Sequence, residues 1–461
     1  MPFTPHTEED IQAMLKAIGV KSIDNLFDEI PANLRCKDIA LPEGQNEMTM
    51  QKTAEHLAAK NKNGLCFLGA GSYEHHIPAA VWDITSRGEF LTSYTPYQAE
   101  ASQGTLQLLY EFQTMICELT GMEVANASMY DGASALAEAI LMSARIQKHH
   151  SPHRILIPHA LHPLYRDTVK TILHTLNIEL IECPYDIKRG TIDPSCLQAY
   201  EKESITTLVI AHPNFFGCLE DVDTLTNWAH QHHIMVIACV NPTSLGLLKP
   251  PGQWGEKGAD IVCGEGQPLG VPMASGGPYF GFLSSRLSFV RQMPGRIIGR
   301  TVDKDGKTGF TLTLQAREQH IRREKATSNI CTNQGLLVTA ATIYMSLVGS
   351  QGIHDVALAC HQNTCGLTDA LTQIPGVKAQ FTSPYFHEVV IQLPVESNQA
   401  LACLQQLGIL GGYALKTDYP ELGDAILICA TEMRTSEDIK RYSHALNHVL
   451  SKRSEACSLS T

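Results

Sequence analysis

The sequence predicts an α/β protein with a large, mostly parallel sheet, followed by a smaller α+β C-terminal domain. Six short apolar runs recur through its middle: Ile155-Leu156-Ile157, Ile178 to Ile181, Leu208-Val209-Ile210, Met235-Val236-Ile237, Ile261-Val262-Cys263 and Phe280-Gly281-Phe282. Helix-patterned segments separate most of them, at Leu161 to Leu176, Cys196 to Glu203 and Val222 to His233. Strands alternating with helices indicate a parallel sheet covered on both faces. The chain is also long enough, at 461 residues with 44% apolar and 18% charged, for two or three domains with real cores.

The elements follow in order. Thr7 caps a helix from Glu8 with Asp10 as capping-box partner, Ile11, Met14, Leu15 and Ile18 form its apolar stripe, and Gly19 suits its end. A second helix is expected over Thr49 to Lys60, so residues 1–62 are assigned as an N-terminal helical arm. Residues 63–327 form the large α/β domain. Residues 328–461 form the small one, with helices at Gln334 to Leu347, Asn398 to Leu407 and Ser436 to Leu450, strands at Glu388 to Leu393 and Ala425 to Ala430, and a frayed tail from Ser451.

Composition excludes some functions. The net charge is -12, from 35 basic and 47 acidic residues, and no basic stretch exceeds Arg322-Arg323. Nucleic-acid binding needs clustered cations to neutralise phosphates, so it is not expected. Met1 to Asp10 has no apolar stretch and the chain no run of 18 apolar residues, so neither a secretory signal nor a membrane span is expected. The 14 cysteines are scattered without a C-x-x-C, which suits reduced thiols in a cytoplasmic protein. His75-His76, His232-His233 and His159/His162 lack a Cys or carboxylate set at ligand spacing, so no metal site is assigned.

In open α/β sheets the ligand lies beyond the carboxyl ends of the strands. Met129 to Ala135, with Ser134, opens an alanine-rich helix, and its small residues suit either a phosphate cradle or a plain capped start. His162 follows a strand, where a histidine either stacks on a flat heterocycle or serves structure. His212-Pro213-Asn214-Phe215-Phe216-Gly217 makes a sharp loop after the next strand. The glycine-rich loop Gly264 to Gly270, with Gln267, offers only Glu265 as a base; Gly69-Ala70-Gly71 reads as a turn. Tyr94-Thr95-Pro96-Tyr97-Gln98-Ala99-Glu100 precedes a helix over Ser102 to Leu119 and suits either a pocket or a surface turn.

Six strings together resemble the P-protein of the glycine cleavage system: YTPYQAEASQGTLQ, MYDGASALAEA, HPNFFGCLEDV, GEGQPLGVPMASGGPYFGF, HIRREKATSNICTNQ and CATEMRTSEDI. The resemblance runs from Pro5 to about Leu450 and looks like the separate first subunit of the two-subunit form. It implies an aminotransferase-like, fold-type I pyridoxal-phosphate (PLP) transferase fold, in an α2β2 heterotetramer with P-protein subunit 2. The implied reaction decarboxylates glycine on PLP and passes the aminomethyl group to the lipoyl arm of H-protein. Against the family's catalytic half, Gly258-Ala259-Asp260 is kept, but the His-Lys positions hold Gln267 and Pro268, and Ala238 stands where the acid for the pyridine nitrogen would be.

The resemblance therefore implies PLP bound covalently by the partner, with no catalytic residue on this chain alone. Tyr94, Tyr97, Glu100, Arg322 and Asn329 are the candidates contributed to the partner's site. Ser134, His162, His212 and Gln267 are the candidates for a remnant cofactor pocket. Two alternatives stand beside this: a structural or regulatory pseudoenzyme, and a self-sufficient PLP decarboxylase using Lys325.

Overall fold

The computed structural model describes residues 5–36, 39–61 and 64–458. Residues 1–62 and 63–461 form two compact units. In the first, α1 (Glu8–Ile18) starts at the Thr7/Asp10 capping box and ends at Gly19 in the left-handed region, and α2 is Glu47–Ala58, two residues ahead of expectation. Leu15 is the only buried side chain among its described residues.

The second unit continues with β1 (Leu65–Cys66), α3 (Ala79–Thr85), α4 (Gln103–Thr120), β2 (Val124–Ala125), α5 (Gly132–Ile146), β3 (His153–Pro158), α6 (Pro163–Leu173) and β4 (Ile178–Cys183). Next come β5 (Thr207–His212), α7 (Val222–Gln231), β6 (Met235–Val240), β7 (Ile261–Glu265), β8 (Gly281–Ser285), β9 (Ile297–Val302) and β10 (Thr308–Thr313). The chain closes with α8 (Gln319–Arg322), α9 (Gly335–Thr372), β11 (Lys378–Ala379), β12 (Glu388–Gln392), α10 (Ser397–Gln406), β13 (Ile409–Leu410), β14 (Tyr413–Ala414), β15 (Ala425–Cys429) and α11 (Ser436–Ser458).

The seven-stranded sheet has the order β2-β8-β7-β6-β5-β3-β4. Pairing is parallel from β4 through β7, and β8 runs antiparallel to both its neighbours. Every residue of β5 and β6 is buried, which is why central strands read as continuous apolar runs rather than alternations. The sheet's faces pack into two cores, one around Phe112, Trp254 and Phe280 and one around Met142, Ile237 and Leu283.

Several expectations need correction. The helix expected over Cys196 to Glu203 is a 3-10 turn, Pro194–Tyr200, which buries only Leu197 and so has little to anchor a full helix. The antiparallel hairpin β9/β10 was not foreseen, although its turn, Asp303 to Lys307 with Gly306 at φ 79°, carries the Asp-x-Asp-Gly signal of a hairpin loop. The tail expected to fray at Ser451 continues α11 to Ser458; residues 459–461 lie outside the described residues.

The helix expected over Gln334 to Leu347 is the first half of α9, which runs to the non-helical Gly349; a second helical stretch, not foreseen, follows to Thr372. Leu337, Val338, Ala340, Ala341, Tyr344 and Met345 join the large-sheet core, whereas Leu367 and Leu371 join the core under the four-stranded sheet β11-β12-β15-β14. One helix thus serves both sheets. It is also the one described helix long and apolar enough to cross a membrane, a test that a core helix passes equally, and the apolar residues just named are buried in these two cores.

Candidate active site

The carboxyl ends of β5, β6 and β7, with the loop after β3, surround a cavity of about 80 Å3 lined by His162, Tyr165, Asn214, Cys239, Glu265 and Pro268, with Tyr73 and Glu388 opposite. α5 points its N-terminus here. Asp131 caps it, accepting the Ser134 N–H at 2.7 Å, and the Ser134 hydroxyl answers the Asp131 N–H at 3.1 Å. Glu265 Oε2 accepts the Gly132 N–H at 3.0 Å, and a Cβ on Gly132 would overlap the Tyr165 hydroxyl. The helix end that would attract a phosphate is therefore satisfied by the Asp131 and Glu265 side chains and roofed by a phenol. Of the two readings of Met129 to Ala135, the plain capped start describes the geometry.

Burial favours the protonated form of both glutamates that line this cavity. Burial pushes Glu265 up to about 8, against the Gly132 and Gln267 N–H bonds and with the Asp131 charge. Burial likewise raises Glu388 to about 7, although the Ala70 N–H at 2.6 Å and the Tyr73 hydroxyl at 2.8 Å favour its charged form.

Of the four remnant-pocket candidates, only His162 lines this cavity. Its Nδ1 accepts the Leu164 N–H at 3.1 Å, so Nε2 donates to Ala70 O at 2.9 Å, and burial lowers its pKa. Tyr165 stacks on the ring at 5.1 Å and Phe215 packs at 4.7 Å, so both already crowd the imidazole where a cofactor ring would need to stack. Gln267 is consumed by the backbone: its amide bonds Tyr73 N–H and O at 2.9 Å each and Val271 O at 2.8 Å. His212 lies behind the wall against Trp254, accepts the Glu220 N–H at 3.2 Å, and is pulled down to about 4 by burial. Ser134 serves the cap. Pro268 faces the cavity, and Ala238 is buried within β6. These residues do not fit PLP: they offer no lysine, a filled anion site, a histidine already packed by aromatic rings, and too little space.

A second, larger cavity of about 610 Å3 lies at the N-terminal end of α9, lined by Ser93, Tyr94, Tyr130, Arg296, Thr332 and Asn333 among others. Tyr94 is 88% exposed. Tyr97 stands beside this cavity and accepts from Arg296 Nη2 at 2.9 Å, with the guanidinium over its ring at 5.1 Å. Arg296 is 3% exposed; its Nε has no hydrogen-bond partner and lies 3.8 Å from Glu318 Oε2. Glu100 is exposed on the 3-10 turn Ala99–Ala101. Arg322 donates to Ala316 O and Asn329 accepts from Gln319, both exposed and neither lining the cavity. Lys325 is exposed on a 3-10 turn and lines neither cavity. The structure thus brings Tyr94 and Tyr97 together and leaves Glu100, Arg322 and Asn329 apart. Sequence reasoning missed Arg296; its signal was a cation leading from Pro294-Gly295 into the apolar Ile297-Ile298.

Sequence spacing also hid one cluster. His75 Nδ1, Cys360 Sγ and a Glu432 oxygen lie within 4.8 Å of one another, although His75 and Glu432 are 357 residues apart. Glu432 accepts from His75 at 2.8 Å, Cys360 at 3.2 Å and the His76 N–H at 2.6 Å. Burial would raise this carboxyl, but the His75 bond leads the contacts that hold it at about 2.

The parallel sheet, the cavity at its carboxyl ends and the α+β C-terminal region define a fold-type I PLP-transferase-like protein. Its neighbours among solved structures include a C-DES variant with glycine covalently linked to its PLP cofactor, at 17% identity and TM-score 0.62 over 85% of this chain and 97% of that one, a likeness of fold. A glycine decarboxylase (P-protein) of the glycine cleavage system in inhibitor-bound form matches at 40% identity and TM-score 0.89, over 97% of this chain and 100% of that one. A probable glycine dehydrogenase (decarboxylating) subunit 1 of Legionella pneumophila (strain Corby) is 65% identical over 98% of this chain and 100% of its own length. The family model for the glycine cleavage system P-protein matches residues 1–446, and the chain belongs to that family. Its role is that of a glycine cleavage system P-protein, and the "subunit 1" of its relative's name implies a partner subunit.

Proposed function

We propose that this chain is the subunit of a glycine decarboxylase that does not hold the cofactor, and that it completes an active site whose PLP and lysine belong to P-protein subunit 2. The observation that carries this is the contrast between its two cavities. The one at the strand ends is small and crowded by Glu265, Tyr165 and Pro268, whereas the one at Tyr94 is several times larger and is bordered by the exposed Tyr94. A roomy cavity bordered by exposed side chains can close over a ligand held by another chain and exclude water from it. PLP, when bound by subunit 2, supplies the electron sink for the carbon that loses CO2. This chain's share is positioning: Tyr94 with Thr332 and Asn333 in the wall, and Tyr97 beside it holding Arg296. The assembly is an α2β2 heterotetramer that hands the aminomethyl group to lipoylated H-protein in the cytoplasm.

The test is to purify the chain alone and with subunit 2, add PLP, and reduce with borohydride. The pair gains the lysine-bound cofactor band at roughly 400–430 nm and this chain alone does not; a reduced adduct on this chain overturns the reading. Alanine at Tyr94 and Tyr97 lowers glycine exchange by the pair. If it leaves exchange untouched while assembly is normal, the purely structural role is the correct one.

A further inference from the structure

The larger cavity, at Tyr94, is lined by a buried cation with donors to spare. The Arg296 guanidinium has five N–H groups and makes one hydrogen bond within the usual N–H···O range, from Nη2 to Tyr97 at 2.9 Å; Nη2 also lies 4.0 Å from Cys331 Sγ. Its Nε is buried without a hydrogen-bond partner. A desolvated guanidinium with unmade bonds is costly unless a ligand completes it.

α9 ends at the same cavity. Gly335 and Leu336 line it, and Gln334 at the N-cap provides no side-chain cap. The first-turn N–H groups of Gly335, Leu336 and Leu337 make no hydrogen bond with the described residues. The helical stretch from Gly335 to Val348 precedes the break at Gly349, long enough to carry the full positive end of a helix dipole. The other lining groups include hydroxyls at Ser93, Tyr94, Thr105, Tyr130, Thr332 and Thr339, and no lining residue is Asp or Glu. A planar fork of N–H donors and an uncapped helix end lining one cavity, with no carboxylate in its wall, match an oxyanion.

We infer that Arg296 and the α9 N-terminus form an anion subsite, and that it takes the carboxylate of the amino-acid substrate. This rests on the reading that the cavity completes the partner's active site. The phosphate of the partner's cofactor is the other oxyanion of matching chemistry. Glu318, 3.8 Å from Nε, tempers the charge. That suits a carboxylate destined to leave as CO2, because a site that held it more tightly in the ground state than in the transition state would slow the reaction.

The test uses the assembled pair with PLP. Arg296→Met removes the fork; Ser93→Asp puts a carboxylate into the cavity from a partly exposed position and keeps the test open should the buried change impair folding. Each variant raises the KM for glycine about 10- to 100-fold, with a smaller change in kcat. The spectral response to methylamine, which lacks a carboxylate, stays as in the wild type, and Arg296→Lys recovers part of the glycine affinity. If instead PLP dissociates more readily and glycine KM is kept, the oxyanion is the phosphate. Normal KM, normal cofactor retention and normal assembly in both variants overturn the subsite. Failure of the assembly reading shows separately, as a borohydride-fixed cofactor on this chain alone.

Discussion

Replacing Glu265 with glutamine isolates the charge inside the strand-end cavity. The wild-type carboxyl is raised from 4.5 to about 8, chiefly by burial. Between those two values the folded chain keeps a proton that the unfolded chain has lost, so stability falls as pH rises through that window and levels off above about 8. From pH 6 to pH 8.5 the group passes through about 2 units of this window, which at 1.36 kcal/mol per unit is about 2.7 kcal/mol. Solvent at the cavity mouth screens part of this, so about 1.5–2.5 kcal/mol is expected. Glutamine keeps the shape, and its oxygen can still accept from Gly132 and Gln267. Glu388 and Glu220, both raised to about 7 by burial, contribute the same slope to both proteins and cancel in the comparison. Thermal unfolding of this chain, followed by circular dichroism at the two pH values, therefore shows the variant gaining on the wild type by several degrees at pH 8.5 and little at pH 6. An equal difference at both pH values refutes the buried, protonated Glu265.

Pro268→Lys restores an amine to the cavity wall, yet borohydride after PLP treatment fixes no cofactor at position 268, because Tyr165 and Glu265 still occupy the space; mass spectrometry of the reduced chain decides it. Gly132→Ala drives a methyl group into the Tyr165 hydroxyl and lowers stability by about 1–3 kcal/mol, read as a fall in Tm. Leu367→Ala, at a fully buried position under the four-stranded sheet, costs about 2–5 kcal/mol. The same change at Leu164, 67% exposed, stays within about 0.5 kcal/mol; similar losses at both sites contradict the packing.

The sequence by itself determined the alternation that builds the sheet, because buried parallel strands must be continuously apolar and the helices between them amphipathic. It also determined the missing chemistry: Pro268 has no amine and Ala238 no acid, whatever surrounds them. The α1 capping box was equally legible, since Thr7 and Asp10 are three residues apart and act locally. Contacts between distant residues were not legible. Glu265 reaches Gly132 across 133 residues, and Tyr73 reaches Glu388 across 315. The reach of α9 was hidden too, because its two halves face different cores and share no single apolar stripe. Only the tertiary structure decided that the N-terminal end of α5 is closed by the Glu265 side chain, and that the larger, cationic cavity lies at Tyr94 and Arg296. Periodicity and side-chain chemistry act along the chain, whereas desolvation and charge pairing depend on which distant segments meet.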